Sequence, residues 1–344
     1  MIISELVTCL SRLNKSQGIE FFFSLVNSTS LPKGYAYLTQ CRFYEKECIV
    51  SFIVSTQLDS VALVHLLSRL SSNFLVDVEK KIAHKSLSSV GSDLQLDPLS
   101  IDLGNIYSAC YEAYPFLKLQ PFKANDLTVQ VTYERLLSYF GDLAGKKILI
   151  YGLGNISTKL TLKLIESGTS VDVASLSNNN IDAILGALNL IKPPQTVAIA
   201  RNFFIGDNNI PYNALIISNY NNIYSNLLSK VNLTPGSLSL VCTNSLIPDR
   251  DIDILNNKTV AERIDIGPSL FRIKNKGNNS SLDIYPKCSI GAGQVRYVSS
   301  GFLAYSSDII VDNAEAPLFL VRGSPAIWPF HPDVCFKAGN YLIK

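Results

Sequence analysis

No long hydrophobic run, no block of basic residues and no paired-cysteine motif occurs in this sequence, and each absence removes a class of protein. The longest apolar runs, such as ECIVSFIVS and APLFLV, fall far short of the roughly 20 residues that a spanning helix needs. No membrane is therefore expected as a partner. Lysine and arginine number 30 against 28 acidic residues, a formal charge of +2, and they are scattered. The electrostatic footprint of a nucleic-acid binder is missing. Seven cysteines, at 9, 41, 48, 110, 242, 288 and 335, are odd in number and form no CxxC pair. They read as reduced, mostly buried thiols of a cytoplasmic protein. His65, His84 and His331 lie far apart and show no ligand spacing, so no metal site is expected. Also missing are the GxSxG elbow, the phosphate loop ending in GK[ST] and the HExxH pair.

What the chain does have is apolar material, 47% hydrophobic against 17% charged over 344 residues. That suffices for real cores and for two domains. MIISELVTCLSRL carries Glu5 and no preceding basic segment, so it reads as a short amphipathic helix rather than a signal peptide. FFFSLVN and YAYLTQCRFY read as strands around an LPKG turn, and CIVSFIVS as a buried strand. DSVALVHLLSRLSS has apolar Val61, Val64, Leu67 and Leu70 at helical spacing, and FLVDVEKK reads as a strand. Strand, helix and strand suggest a βαβ unit, within an α/β domain over 1–125. NIYSACYEAYPF is a short helix ended near Pro115. In KANDLTVQVTYERLLSYFG, Asn125 or Asp126 can cap a helix that Gly141 stops. This linking helix covers 126–140.

From residue 146 the rhythm becomes regular. KKILIYG, SVDVAS, TVAIAR, NALIISN, SLSLVCTN and AERIDIG read as strands, with helices at 155–167, NNIDAILGALNLI and NNIYSNLLSKV. Such alternation packs as a doubly wound parallel sheet, expected over 141–272. The tail, 273–344, is irregular and strand-rich, and GAGQ within it reads as a turn.

KKILIYGLGNIS places glycines at 152 and 154 and a small residue at 157 between a strand and a helix. In a dinucleotide-binding unit the first glycine permits the tight turn and the second lets the diphosphate approach the backbone. The third position needs a small side chain. Here Gly152, Gly154 and Ser157 take those places. The helix N-terminus, with Asn155 and Ile156, offers N–H groups and a positive dipole end. Asn155 can cap that helix or contact phosphate. The bland alternative is an inherited turn that no longer binds. At the end of the next strand stand Ser175, Leu176 and Ser177, with Asp172 mid-strand. No carboxylate is there to repel a 2′-phosphate, so Ser175 and Ser177 are candidate ribose or phosphate contacts and NADP is favoured over NAD. Asn219, ending NALIISN, is a candidate contact on the nicotinamide side or a helix cap.

The KANDLTVQVTYERLL helix followed by GKK, a strand and GxGxxS resembles the shikimate dehydrogenase and methylenetetrahydrofolate dehydrogenase group, over roughly 120–270. That resemblance implies an N-terminal catalytic α/β domain, a linking helix and a Rossmann domain. It also implies a catalytic role for Asp126 and for a lysine of the first domain, Lys80 or Lys81. The group's Ser-x-Ser and Asn-Val-Thr-x-Pro-x-Lys stretches are not present, nor its terminal helix, nor the Tyr–Lys spacing of the folate enzymes. A lysine with lowered pKa oriented by a carboxylate suits proton removal from an alcohol during hydride transfer. The expectation is an NAD- or NADP-dependent oxidoreductase acting on a small polar metabolite between two domains. The alternatives are a non-catalytic binding or scaffold protein that keeps the Rossmann fold, and a methylenetetrahydrofolate-type dehydrogenase.

Overall fold

The structure, a computed structural model, describes residues 3–28, 36–38, 42–44, 46–80, 105–175, 180–203, 210–220, 227–243, 247–274, 289–292, 295–299, 301–305, 307–311, 320–322 and 328–329. It is an α/β fold built on two main sheets, a mixed first sheet with a parallel centre and an all-parallel second sheet.

Helix α1, Ile3–Gln17, leads into β1, Glu20–Asn27. Within YAYLTQCRFY, expected as one strand, the described residues form β2, Ala36–Leu38, and β3, Arg42–Tyr44, and residues 39–41 lie outside the described residues. Both run antiparallel along β4, Glu47–Val54. Helix α2, Gln57–Leu67, starts where Thr56 Oγ1 accepts the Asp59 N–H at 3.0 Å. Strand β5 is Asn73–Asp77. Helix α3, Ile106–Ala113, is capped by Asn105, whose side chain accepts the Tyr107 N–H at 2.8 Å. Strand β6 is Lys118–Phe122. The sheet order is β2–β4–β1–β5–β6, with β4, β1, β5 and β6 mutually parallel. The expected βαβ unit is therefore real in direction, but β4 and β5 flank β1 instead of pairing.

β1 is buried on both faces, which explains its unbroken apolar run. Phe21, Phe23 and Leu25 face one core with Val50, Val64 and Cys110. Phe22 faces a second core with Ile49 and Leu75.

Helix α4, Ala124–Phe140, joins the sheets. Ala124 packs against the first sheet, whereas Val129 and Leu136 belong to the core of the second. The helix ends at Gly141, whose φ of 73° suits a residue without Cβ. Its start differs from the expected cap. Lys123 is the N-cap and supplies no side-chain bond. Instead the Ala124 N–H reaches Asp77 Oδ1 at 3.3 Å and the Asn125 N–H reaches Glu79 Oε2 at 3.2 Å. Carboxylates at the end of β5 thus satisfy first-turn amides that local side chains were expected to satisfy.

The second sheet follows as β7 Lys147–Tyr151, α5 Asn155–Glu166, β8 Ser170–Ala174, α6 Ile181–Ile191, β9 Ala200–Asn202, β10 Tyr212–Ile217, β11 Leu233–Val241, α7 Asp249–Lys258 and β12 Val260–Arg263. All six strands are parallel, in the order β12–β11–β10–β7–β8–β9. The order reverses between β7 and β10, which is the switch point where such sheets bind ligands.

Beyond β12 the chain returns to the first sheet. Helix α8, Gly267–Lys274, buries Leu270 and Phe271 among Phe22, Ile49, Leu75 and Phe122. The tail forms β13 Ser289–Ala292, β14 Val295–Ser299, β15 Ile309–Val311 and β16 Leu320–Arg322, a small sheet of its own. GAGQ, expected as a turn, begins inside β13. Strand β17, Trp328–Pro329, pairs with β2. Residues 301–305 lie along β12, where the Arg263 N–H donates to Gly301 O at 2.9 Å and Leu303 joins the second-sheet core.

Phe271 is fully buried, so Phe271→Ala is expected to cost about 3–5 kcal/mol, read as a lowered denaturant midpoint. An unchanged midpoint would show that α8 is not docked on the first sheet.

Candidate functional site

The turn between β7 and α5 is held open by its own residues. Gly152 has φ of 97°, and a Cβ there would stand 2.7 Å from Asn219 Cβ and 2.9 Å from Ser218 Oγ. Only glycine fits. Gly154 is extended, exposed, and faces open space, since a Cβ there would meet nothing within 4 Å. Ser157 fills the third position with its hydroxyl buried. It accepts the Gly154 N–H at 2.8 Å, and Ser218 Oγ lies 3.1 Å away. The N–H groups of Asn155 and Ile156, first in α5, have no acceptor within the helix and point outward with its positive dipole end. Asn219 is exposed beside Gly152, with its own N–H donated to Tyr151 O at 3.2 Å.

At the neighbouring strand Ser175 follows β8 and is half-buried. Ser177 lies outside the described residues. Asp172 is mid-strand, as the sequence suggested, and is fully engaged. Arg201 donates to its two oxygens at 2.5 and 3.0 Å, and the Tyr212 hydroxyl donates at 2.5 Å.

Between the sheets lies a cleft of about 320 Å³. The carboxyl ends of β1, β11 and β12, the start of α4, and Ile156 of α5 all border it. The first-sheet wall carries Ser24 and Ser51, which are register partners on β1 and β4. The opposite wall carries Cys242, Arg263 and Asp265. Arg42 crosses the cleft to Asp265: its Nε donates at 2.9 Å and its Nη2 at 2.8 Å. A Cβ on Gly267 would stand 2.7 Å from Arg42 Cγ, so glycine makes room for that pair. Arg263 is buried, and its Nη1 donates to Thr243 O at 2.6 Å. Burial pushes the Cys242 thiol up to about 11.

The lysine–carboxylate set expected from the resemblance is arranged differently. Lys80 is exposed and does not border the cleft. Lys81 lies outside the described residues. The lysine hydrogen-bonded to Asp126 is Lys159 of α5, which donates to Asp126 Oδ1 at 2.5 Å and to Glu79 Oε1 at 3.4 Å, while Lys123 Nζ stands 3.9 Å from Asp126 Oδ2. Burial works against its charge, but the hydrogen bond and charge of Asp126, with the charge of Glu79, outweigh it. They hold the ammonium above the ordinary lysine value. A lysine shifted upward is a poor proton acceptor, so this cluster clamps α5 to the first sheet. Reading the sequence missed Lys159, Glu79, Arg42, Arg263 and Asp265. The one local signal was Ser24, a polar residue inside an apolar buried strand.

Fold and site together define a two-sheet α/β protein with a Rossmann-type second sheet. No known protein family matches the chain, and no curated protein matches it. Among solved structures it is similar to L-tryptophan dehydrogenase from Nostoc punctiforme, at 10% identity and TM-score 0.40, over 77% of this chain and 76% of that one. It is similar to shikimate 5-dehydrogenase from Listeria monocytogenes, solved with shikimate and NAD, at 12% identity and TM-score 0.38, over 76% of this chain and 93% of that one. It is also similar to a mitochondrial ornithine carbamoyltransferase from Coccidioides immitis, at 9% identity and TM-score 0.37, over 75% of this chain and 87% of that one. At such values these likenesses carry no argument about activity. Among the described residues no helix is long and apolar enough to cross a membrane, and no cluster is placed to hold a metal ion.

Two outcomes follow. Gly152→Ala is expected to destabilise by about 2 kcal/mol or more, from the positive φ and the contact with Asn219, measured by chemical denaturation. Lys159→Met is expected to cost on the order of 1 kcal/mol, since the pair is partly exposed. Because the folded pKa is raised, the stabilisation is complete below the ordinary lysine value of 10.5 and is lost as pH rises through the folded value. The gap between wild type and variant should stay constant near neutrality and close at strongly alkaline pH. A gap that is absent at neutral pH would remove the clamp.

Proposed function

We propose that the chain is an NAD- or NADP-dependent oxidoreductase acting on a small polar metabolite in the cleft. The observation that carries this reading is the continuity of two openings. Gly154 leaves the turn uncovered, and Ile156, two residues on, borders the cleft. A ligand lying along the turn therefore reaches the cleft directly.

The cradle fits a dinucleotide by the space that a Cβ at position 154 would fill. In this reading the N–H groups of Asn155 and Ile156 hold the diphosphate, as helix N-termini do for anions. Gly152 and Asn219 border the nicotinamide side. Ser175 borders the adenosine ribose, with Ser177 proposed beside it. Asp172 is bound by Arg201 and Tyr212, so it places no free carboxylate against a 2′-phosphate. This favours NADP over NAD. The dinucleotide would supply hydride transfer. The chain's own part is to bind, to orient and to keep the reacting pair between two sheets, out of water. Asp126 and Glu79 serve through Lys159 by fixing α5 against the first sheet.

One observation favours the alternative of a non-catalytic Rossmann protein. Ser157 Oγ takes the Gly154 N–H and so removes one donor from the cradle.

Calorimetric titration separates the two. The expected result is binding of NADPH, more weakly of NADH, and loss of at least tenfold in affinity for Gly154→Val. The variant should lose no more than about 1 kcal/mol of stability, the cost of a poorer N-cap, because the added Cβ itself meets nothing at this extended backbone. Wild-type protein that binds none of NAD, NADH, NADP and NADPH would end the oxidoreductase reading.

A further inference from the structure

Three arginines stand near the interface of the two sheets, and two are answered. Arg42 meets Asp265 and Arg135 meets Glu262, each through two short hydrogen bonds. Arg263 is not answered among the described residues. It is 8% exposed, borders the cleft, and spends Nη1 on a backbone carbonyl, while Nη2 has no acceptor among those residues. Burial pushes its guanidinium down to about 10, and no carboxylate among the described residues offsets that.

The facing wall shows the same incompleteness. Ser24 and Asn27 are both buried and both border the cleft. Among the described residues Ser24 Oγ and Asn27 Oδ1 have no partner. The Asn27 amide donates to Glu79 O, which fixes its orientation and leaves Oδ1 as an acceptor. Buried polar atoms are ordinarily paired, and a buried charge that stays unpaired is more costly still. Water can complete a serine or an asparagine, but it brings no charge to Arg263. The unpartnered Nη2 of a guanidinium can donate to a carboxylate. Asn27 Oδ1 calls for a donor, such as a hydroxyl or ammonium. A volume of about 320 Å³ lies at the small end of ligand pockets, which run from roughly 300 to 1,000 Å³.

We propose that Arg263 is the anion anchor of the cleft, and that the substrate is a small carboxylic acid with a hydroxyl or amino group, held at its carboxylate by Arg263 and at its polar end by Ser24 and Asn27. This rests on the cleft being the substrate site of the function proposed above. Its test is run without any dinucleotide, so the two can fail separately.

The experiment is a thermal-shift and calorimetric titration of the full chain with glycolate and malate, with glycolamide as the neutral counterpart and inorganic phosphate as a second anion. The expected result is saturable stabilisation by the carboxylates and none by glycolamide. Arg263→Met should weaken carboxylate binding at least tenfold, and Arg263→Lys should retain a salt-sensitive part of it. Equal binding of glycolamide, binding of phosphate alone, or no binding of any carboxylate would overturn the proposal.

Discussion

The pairing of Arg42 with Asp265 governs the geometry around it. The two residues are 223 positions apart, one on the edge strand β3 of the first sheet and one just beyond β12 of the second. Their side chains are 9% and 15% exposed. Removing one partner of such a buried pair typically costs about 3–5 kcal/mol, because the other charge is left stranded. The pair has a second effect on charge. It cancels one arginine of the cleft and leaves the other, Arg263, as the net cation of that wall.

Around this bridge the other cross-sheet contacts share one direction. Helix α4 starts on carboxylates of the first sheet and ends in the core of the second. Lys159 ties α5 back to Asp126 and Glu79. Helix α8 inserts Leu270 and Phe271 into the first sheet, an apolar burial worth about 1.5–3 kcal/mol for each side chain. All of these contacts draw the carboxyl ends of strands from both sheets toward one volume. That is the edge at which open parallel sheets bind their ligands. The chemistry of the cleft thus follows from topology first and from side chains second.

Much of the second sheet is legible in the sequence, because strands buried on both faces read as short apolar runs and helices as a period near four. The glycine turn is legible for a stricter reason: φ of 97° and a wall of Ser218 and Asn219 exclude every side chain at position 152. The start of α4 is not legible, since Asn125 and Asp126 look like caps but Asp77 and Glu79 do the capping across the fold. The candidate site is the least legible part. Arg42, Arg263 and Ser24 come from three different elements, and no spacing along the chain announces that they converge. Of the two lysines expected from resemblance, Lys80 is exposed and does not line the cleft and Lys81 lies outside the described residues, while Lys159 of α5 takes the carboxylate.

The central claim is that the glycine turn and the cleft form one continuous site. A crystal structure of the chain grown with NADPH tests it most directly. The account predicts a diphosphate on the amides of Asn155 and Ile156, with the nicotinamide ring entering the cleft between Asn125 and Arg263. A dinucleotide bound elsewhere on the molecule, or a ring directed away from that cleft, would contradict it.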